Sequence, residues 1–239
     1  MNSLWDSGVA ALRLIAEADP LLASIVWRSL SLSATASAIA IVIGTFLGAW
    51  LAVSRFAGRG LVLAMLNTLL SLPSVVVGLV VYLLLSRSGP FGFLGWLYSF
   101  KAMLLAQTVL VLPIVVALVR QVVEDAYSGH GEQLRSLGTG PRLIGMLLAW
   151  DERSALLTVA LAAFGRAIAE VGAVMLVGGN MDGFTRVMTT SIALETSKGD
   201  LPLAMGLGLV LLGVVLVLQL LLAGIRAWLQ AVDAKGAAP

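Results

Sequence analysis

The stretch Ser154–Val177, SALLTVALAAFGRAIAEVGAVMLV, decides the fold. At an α-helical rise of about 1.5 Å per residue it crosses a hydrocarbon core of about 30 Å. Its only ionisable residues are Arg166 and Glu170, near its middle. Four residues apart, they project from one face of a helix. Each costs roughly 2.5–3.5 kcal/mol at mid-membrane unless it is paired or faces water. Two readings stand: a self-neutralising pair that tolerates its position, or a cation-bearing wall or gate along a polar path, with Glu170 holding Arg166. Just before this stretch, residues 120–153 interrupt the apolar pattern with Arg120, Glu124, Asp125, His130, Glu132, Arg135, Arg142, Asp151, Glu152 and Arg153.

The rest of the chain supports a membrane setting. Its 239 residues are 59% hydrophobic and 12% charged, with a mean hydropathy of +1.01. That composition predicts an all-α membrane protein of about five transmembrane helices, over about 25–53, 61–85, 102–119, 154–177 and 201–225. One membrane domain, residues 25–228, is expected between an N-terminal segment, 1–24, and a tail, 229–239. Trp5, Val9, Leu12 and Ala16 recur at helical spacing opposite Asp6, Arg13 and Glu17, so the first segment reads as a short interfacial helix ended near Asp19-Pro20. Ser29, Ser33 and Ser37, continued by Gly44 and Gly48, read as a seam of small residues for helix packing, in preference to a hydroxyl stripe that contacts substrate. Pro73 breaks the second span, and Pro113 lies within the third.

Orientation follows from the basic residues. With the N-terminus outside, eight fall on the inner side (Arg55, Arg59, Arg120, Arg135, Arg142, Arg153, Arg226 and Lys235). Six fall outside (Arg13, Arg28, Arg87, Lys101, Arg186 and Lys198), and Arg166 is within the membrane. This favours N-out and C-in, with the 120–153 loop in the cytoplasm. The outer connection after the fourth span carries Asn180, Thr185, Arg186, Thr189, Thr190 and Ser191. Two readings stand here: a solvated loop with a short helix, which is the more ordinary one, or a set of hydroxyls and a guanidinium whose hydrogen bonds suit a tetrahedral oxyanion.

Enzyme signatures are sparse. There is no Gly-Lys dipeptide, and so no phosphate-binding loop for ATP. Cysteine is absent, and the single histidine, His130, lacks companion metal ligands. No catalytic residue and no metal site are expected. A formal charge of +2 with dispersed Lys and Arg gives no basis for nucleic-acid binding. Any energy source is expected on another chain or in an ion gradient.

Glu132-Gln133-Leu134-Arg135-Ser136-Leu137-Gly138, between the third and fourth spans, resembles the EAA loop of type I ABC-importer permeases. Glu132 and Gly138 match that pattern, while Gln133 and Leu134 stand where the family has alanines and Trp150-Asp151 where it has Leu-Pro. Leu72-Pro73 through Gly78 and Gly89-Pro90-Phe91-Gly92 resemble the molybdate-type permeases. Gly165–Ala173, Val177–Asn180 and Thr185–Gly199 are similar to the tungstate subgroup.

The resemblance implies a homodimeric permease of a bacterial or archaeal inner membrane. It further implies two cytoplasmic ATPase subunits, which carry the ATP and Mg, and an extracytoplasmic tungstate-binding protein; this chain would bind no cofactor itself. Residues Glu132 to Gly138 would dock on the ATPase, and Arg166, Glu170, Asn180, Thr189 and Thr190 are the expected path or gate. The alternatives are a permease for molybdate or another oxyanion, a stand-alone ion-coupled transporter, and a non-transporting scaffold.

Overall fold

A computed structural model describes residues 8–9, 12–13, 16–17, 19–136 and 138–236. Within these, the side chains of residues 130, 132, 133, 135, 222, 226 and 229–236 lie outside the description. Half of the expected interfacial segment, Leu137 and the last residues of the tail also lie outside the described residues.

The described residues form helices and no strand: α1 (Pro20–Val53), α2 (Arg59–Leu70), α3 (Ser74–Leu85), α4 (Phe100–Ser136), α5 (Pro141–Asp151), α6 (Arg153–Ile168), α7 (Gly172–Gly178), α8 (Met188–Lys198) and α9 (Leu201–Gly236). A single 3-10 turn, Gly92–Leu94, lies between α3 and α4. Among the described residues, three helices are long and apolar enough to cross a membrane. Two bent pairs, α2 with α3 and α6 with α7, raise the number to five if each pair is one span.

Local chemistry sets several helix ends. Pro20 opens α1, its missing N–H costing nothing at a first helical position. Asp19 caps that end: its Oδ1 accepts from the Leu21 N–H at 2.9 Å and the Leu22 N–H at 3.0 Å. The Asp19-Pro20 pair therefore starts the first long helix. Pro73 does more than kink its span; the chain turns by 101° between α2 and α3. Asp200 caps α9 through the Leu203 N–H at 3.2 Å.

Two expectations shift. The third span was expected to end near Val119, but α4 runs on to Ser136 and α5 follows from Pro141 to Asp151, so most of the presumed loop is helix. Charged residues stop a span without stopping a helix, and Arg120–Ser136 contains no proline. The fourth span was expected to be continuous, but it bends by 57° between Ile168 and Gly172.

The chain divides into two compact units: Met1–Ala36 with Pro73–Gln107 and Gly165–Leu218, and Ser37–Leu72 with Thr108–Phe164 and Gln219–Pro239. In the second, Gly44 and Gly48 of α1 lie against Val115, Val116 and Val119 of α4, a close approach of the kind small residues permit in lipid. Leu51, Leu66 and Val116 form a buried cluster there. In the first, α3 packs on α7 with almost no space between backbones. A Cβ added at Gly78 would lie 2.6 Å from the Ala173 Cα, and one at Gly172 would lie 2.7 Å from Val75 Cγ2.

Candidate functional site: a polar network at a broken span

The first unit holds the break between α6 and α7, and around it gather the residues picked from the sequence. The Arg166 Nη1 donates to Glu170 Oε2 at 2.7 Å, so the expected pair forms even though the helix ends between its members. The other carboxylate oxygen, Oε1, accepts from the Ala173 N–H at 3.1 Å. Glu170 thus caps α7 while it neutralises Arg166, and the partial positive charge of the helix start favours the anion there.

Their exposures differ. The Glu170 side chain is 3% exposed and that of Arg166 is 38% exposed. A buried carboxylate is tolerated only when its oxygens are satisfied, and both are. The half-open guanidinium is the group that faces outward from the pair.

Thr189 joins this network, and Asn180 with Thr190 forms a second one beside it. Thr189 Oγ1 donates to the Glu170 carbonyl at 2.7 Å, which ties the start of α8 to the break. Thr190 Oγ1 donates to Asn180 Oδ1 at 2.8 Å, and Asn180 Nδ2 donates to the Thr190 carbonyl at 3.3 Å. Asn180 takes a positive φ of 48°, tolerable for its short polar side chain. Arg166, Glu170 and Thr189 are bonded as one group, and Asn180 with Thr190 as its neighbour along α8.

The connection from Gly178 to Val187 is held from within. Thr185 Oγ1 donates to the Gly178 carbonyl at 2.6 Å and accepts from the Met181 N–H at 2.9 Å. Arg186 pairs with Asp182 at 3.2 Å. Arg28 of α1 donates to the carbonyls of Gly183 and Arg186, at 2.8 and 3.2 Å. Nearby, Tyr98 sits against Gly179, its ring centroid 6.3 Å from that of Tyr82. Interaction with the neighbouring Tyr82 phenol raises the Tyr98 phenol above its ordinary range.

Sequence reasoning missed Gln107. It is 1% exposed in α4, and its Nε2 donates to Ser33 Oγ at 3.3 Å and to the Ala167 carbonyl. Its signal was a lone amide in the apolar run of the third span. Ser29 and Ser33 do lie on a packing seam, but their hydroxyls also bond other elements: Ser29 Oγ accepts from the Met188 N–H at 2.7 Å.

The seven residues of the expected docking segment are placed only in part. Glu132 to Ser136 form the end of α4, Leu134 is half-buried, and Ser136 and Gly138 are exposed. The side chains of Glu132, Gln133 and Arg135, and the whole of Leu137, lie outside the description. Elsewhere in that unit, Glu124 accepts from Arg120 at 2.5 Å and from Arg59.

Among the described residues, three long apolar helices and two bent helix pairs, with the Arg166–Glu170 salt bridge at one bend, define a polytopic α-helical membrane protein. No family model matches the chain. It is 42% identical to the tungstate uptake system permease protein TupB of Peptoclostridium acidaminophilum, over 85% of this chain and 89% of that one. It is 38% identical to a probable anion ABC transporter permease protein of Haloferax volcanii, over 82% and 86% of the two chains. The molybdenum transport system permease protein ModB of Escherichia coli is more distant, at 29% over 73% and 82%. The chain therefore belongs to the ABC-importer permeases of the molybdate and tungstate type, with higher identity to that tungstate permease than to the molybdenum one. Proteins of this family are transport subunits embedded in the membrane; they work with ATPase and substrate-binding partners and are not enzymes themselves.

Proposed function

We propose that the chain is the permease of an ATP-driven importer that carries tungstate from an extracytoplasmic binding protein into the cytoplasm. The likeness to the Peptoclostridium permease over nearly the whole of both chains is the observation that carries this reading. Two copies would form the path, each engaging one cytoplasmic ATPase subunit through Glu132 to Gly138, with ATP and Mg bound by the ATPase. The termini would lie outside (N) and in the cytoplasm (C), as the basic residues favour.

In this reading ATP binding moves the end of α4, and the helix packing switches between two states that open to opposite sides. Arg166 lines the path and attracts the oxyanion, Glu170 keeps it from binding that anion irreversibly, and Asn180, Thr189 and Thr190 hold the outer end. The half-exposed guanidinium beside a buried, doubly bonded carboxylate supports that division of roles.

The test is uptake into proteoliposomes holding the permease with its ATPase, supplied with binding protein and tungstate, molybdate or sulfate. Tungstate accumulation that needs ATP is expected. Uptake by the permease alone under an ion gradient overturns the reading in favour of a stand-alone transporter. The second reading, molybdate as the preferred anion, draws on the more distant molybdenum permease and wins if molybdate outcompetes tungstate.

A further inference from the structure

Where a helix breaks inside a membrane, carbonyls that would have accepted from the next turn lose their partners, and protein must replace them. In a continuous helix the Ala167 carbonyl would accept from the residue four places on. Here it accepts instead from the Glu170 N–H at 3.2 Å, and from Gln107 Nε2 reaching in from α4. The second N–H of that amide goes to Ser33 Oγ on α1. One side chain thus fastens the broken turn to two other helices. The turn is the one that carries Arg166 and Glu170, on either side of Ala167.

Three features set Gln107 apart from a residue that merely fills space. It is 1% exposed, in a position where an apolar side chain of equal volume would fit the surrounding run. Both of its N–H groups are used, and on different helices. Its Oε1 is buried without a partner among the described residues, so the amide is kept for its donors although its acceptor is left unsatisfied.

We propose that Gln107 is a positioning residue for the Arg166–Glu170 pair: its amide takes the carbonyl freed at the break and holds that turn against α1 and α4, so that the guanidinium keeps its place on the path. The inference rests on the reading of Arg166 as a path residue. It concerns placement, not contact with the anion.

The test uses the reconstituted importer (permease, ATPase and binding protein) with tungstate as the transported probe. Gln107→Met, Arg166→Ala and the double variant are compared for maximal uptake rate, half-saturating tungstate and the amount of inserted protein. Gln107→Met is expected to insert normally and to lower the maximal rate by roughly tenfold, as small misplacements of a positioned group do. Half-saturation, set by the binding protein, is expected to stay put. The double variant is expected to be no slower than Arg166→Ala, because coupled residues do not act additively.

An unimpaired Gln107→Met with an impaired Arg166→Ala overturns the positioning role and leaves the path reading standing. An unimpaired Arg166→Ala ends the path reading, and the positioning role with it. Losses that multiply in the double variant overturn the positioning role alone. Should Gln107→Met fail to accumulate, Gln107→Glu takes its place: only its protonated carboxyl donates to the Ala167 carbonyl. Its uptake, as a ratio to the unaltered protein at each pH, is then expected to climb as pH falls. A flat ratio overturns the proposal.

Discussion

Arg166–Glu170 and Arg120–Glu124 are the same two residue types at the same i,i+4 spacing, with contacts of 2.7 and 2.5 Å. Their surroundings differ. Glu124 sits inside the unbroken α4, its side chain is 32% exposed, and it takes a second guanidinium from Arg59. Glu170 sits in a break, its side chain is 3% exposed, and its second partner is the backbone N–H that opens α7. Spacing brings each pair together; burial and backbone continuity decide what depends on it. A continuous helix suits the transmission of displacement along its length, whereas a break with a half-open cation suits a place where something passes.

The largest expected effect tests the continuous region. Gly138 follows α4 with a φ of +73°, and proline would fix that angle near −65°. Gly138→Pro is expected to reduce uptake to background and to abolish co-purification of the ATPase, while the permease still inserts. Normal uptake would remove the docking role from this segment, and with it the assignment of force transmission to α4.

Next in size is a matched pair of truncations. Arg166→Ala is expected to cut tungstate uptake by about tenfold or more, and Arg120→Ala by no more than about twofold, each normalised to inserted protein. Removing Arg166 leaves a buried carboxylate that keeps only the Ala173 N–H, so the protein level is expected to drop as well, though less than uptake. Equal losses of level and uptake would make that pair a structural one.

Gly78→Ala probes the broken region without touching a charge. Its methyl would meet the Ala173 backbone at 2.6 Å, which no side-chain rotation relieves. Overpacking of that kind costs about 1–3 kcal/mol. A fall in midpoint temperature with unchanged half-saturating tungstate is expected; an unchanged midpoint would mean that α3 and α7 separate readily.

How far these regions were legible depends on what kind of contact builds them. Pro73 announced its break, because a missing N–H is written in the sequence. The second break was not announced: it rests on the Glu170 carboxylate turning to the Ala173 N–H three residues on, and on Gln107 arriving from α4, a contact sixty residues apart in sequence. Arg166, Glu170, Asn180, Thr189 and Thr190 stood out as polar residues in or beside an apolar span. That Thr189 bonds the backbone of Glu170, and not its carboxylate, needed the fold. The charges of Arg120–Ser136 marked the end of a span and hid the persistence of a helix, since charge speaks to lipid and not to backbone hydrogen bonding.

The smallest effect separates the pairs most cleanly. Glu124→Gln keeps an acceptor and the volume of the side chain but loses the ionic part of two contacts, leaving Arg59 and Arg120 to repel each other. With all three side chains 25–32% exposed, water screens both the attraction and the repulsion. A loss of about 1 kcal/mol, or about 2–4 °C in midpoint, is the scale to expect. Raising the salt should shrink that loss, because the Debye length falls from about 10 Å at 0.1 M to about 3 Å at 1 M. Glu170→Gln, measured alongside, should lose more and respond little to salt, since its carboxylate is enclosed. A Glu124 loss that equalled the Glu170 loss and ignored salt would mean that exposure does not distinguish the two pairs, and the roles drawn from that difference would fall together.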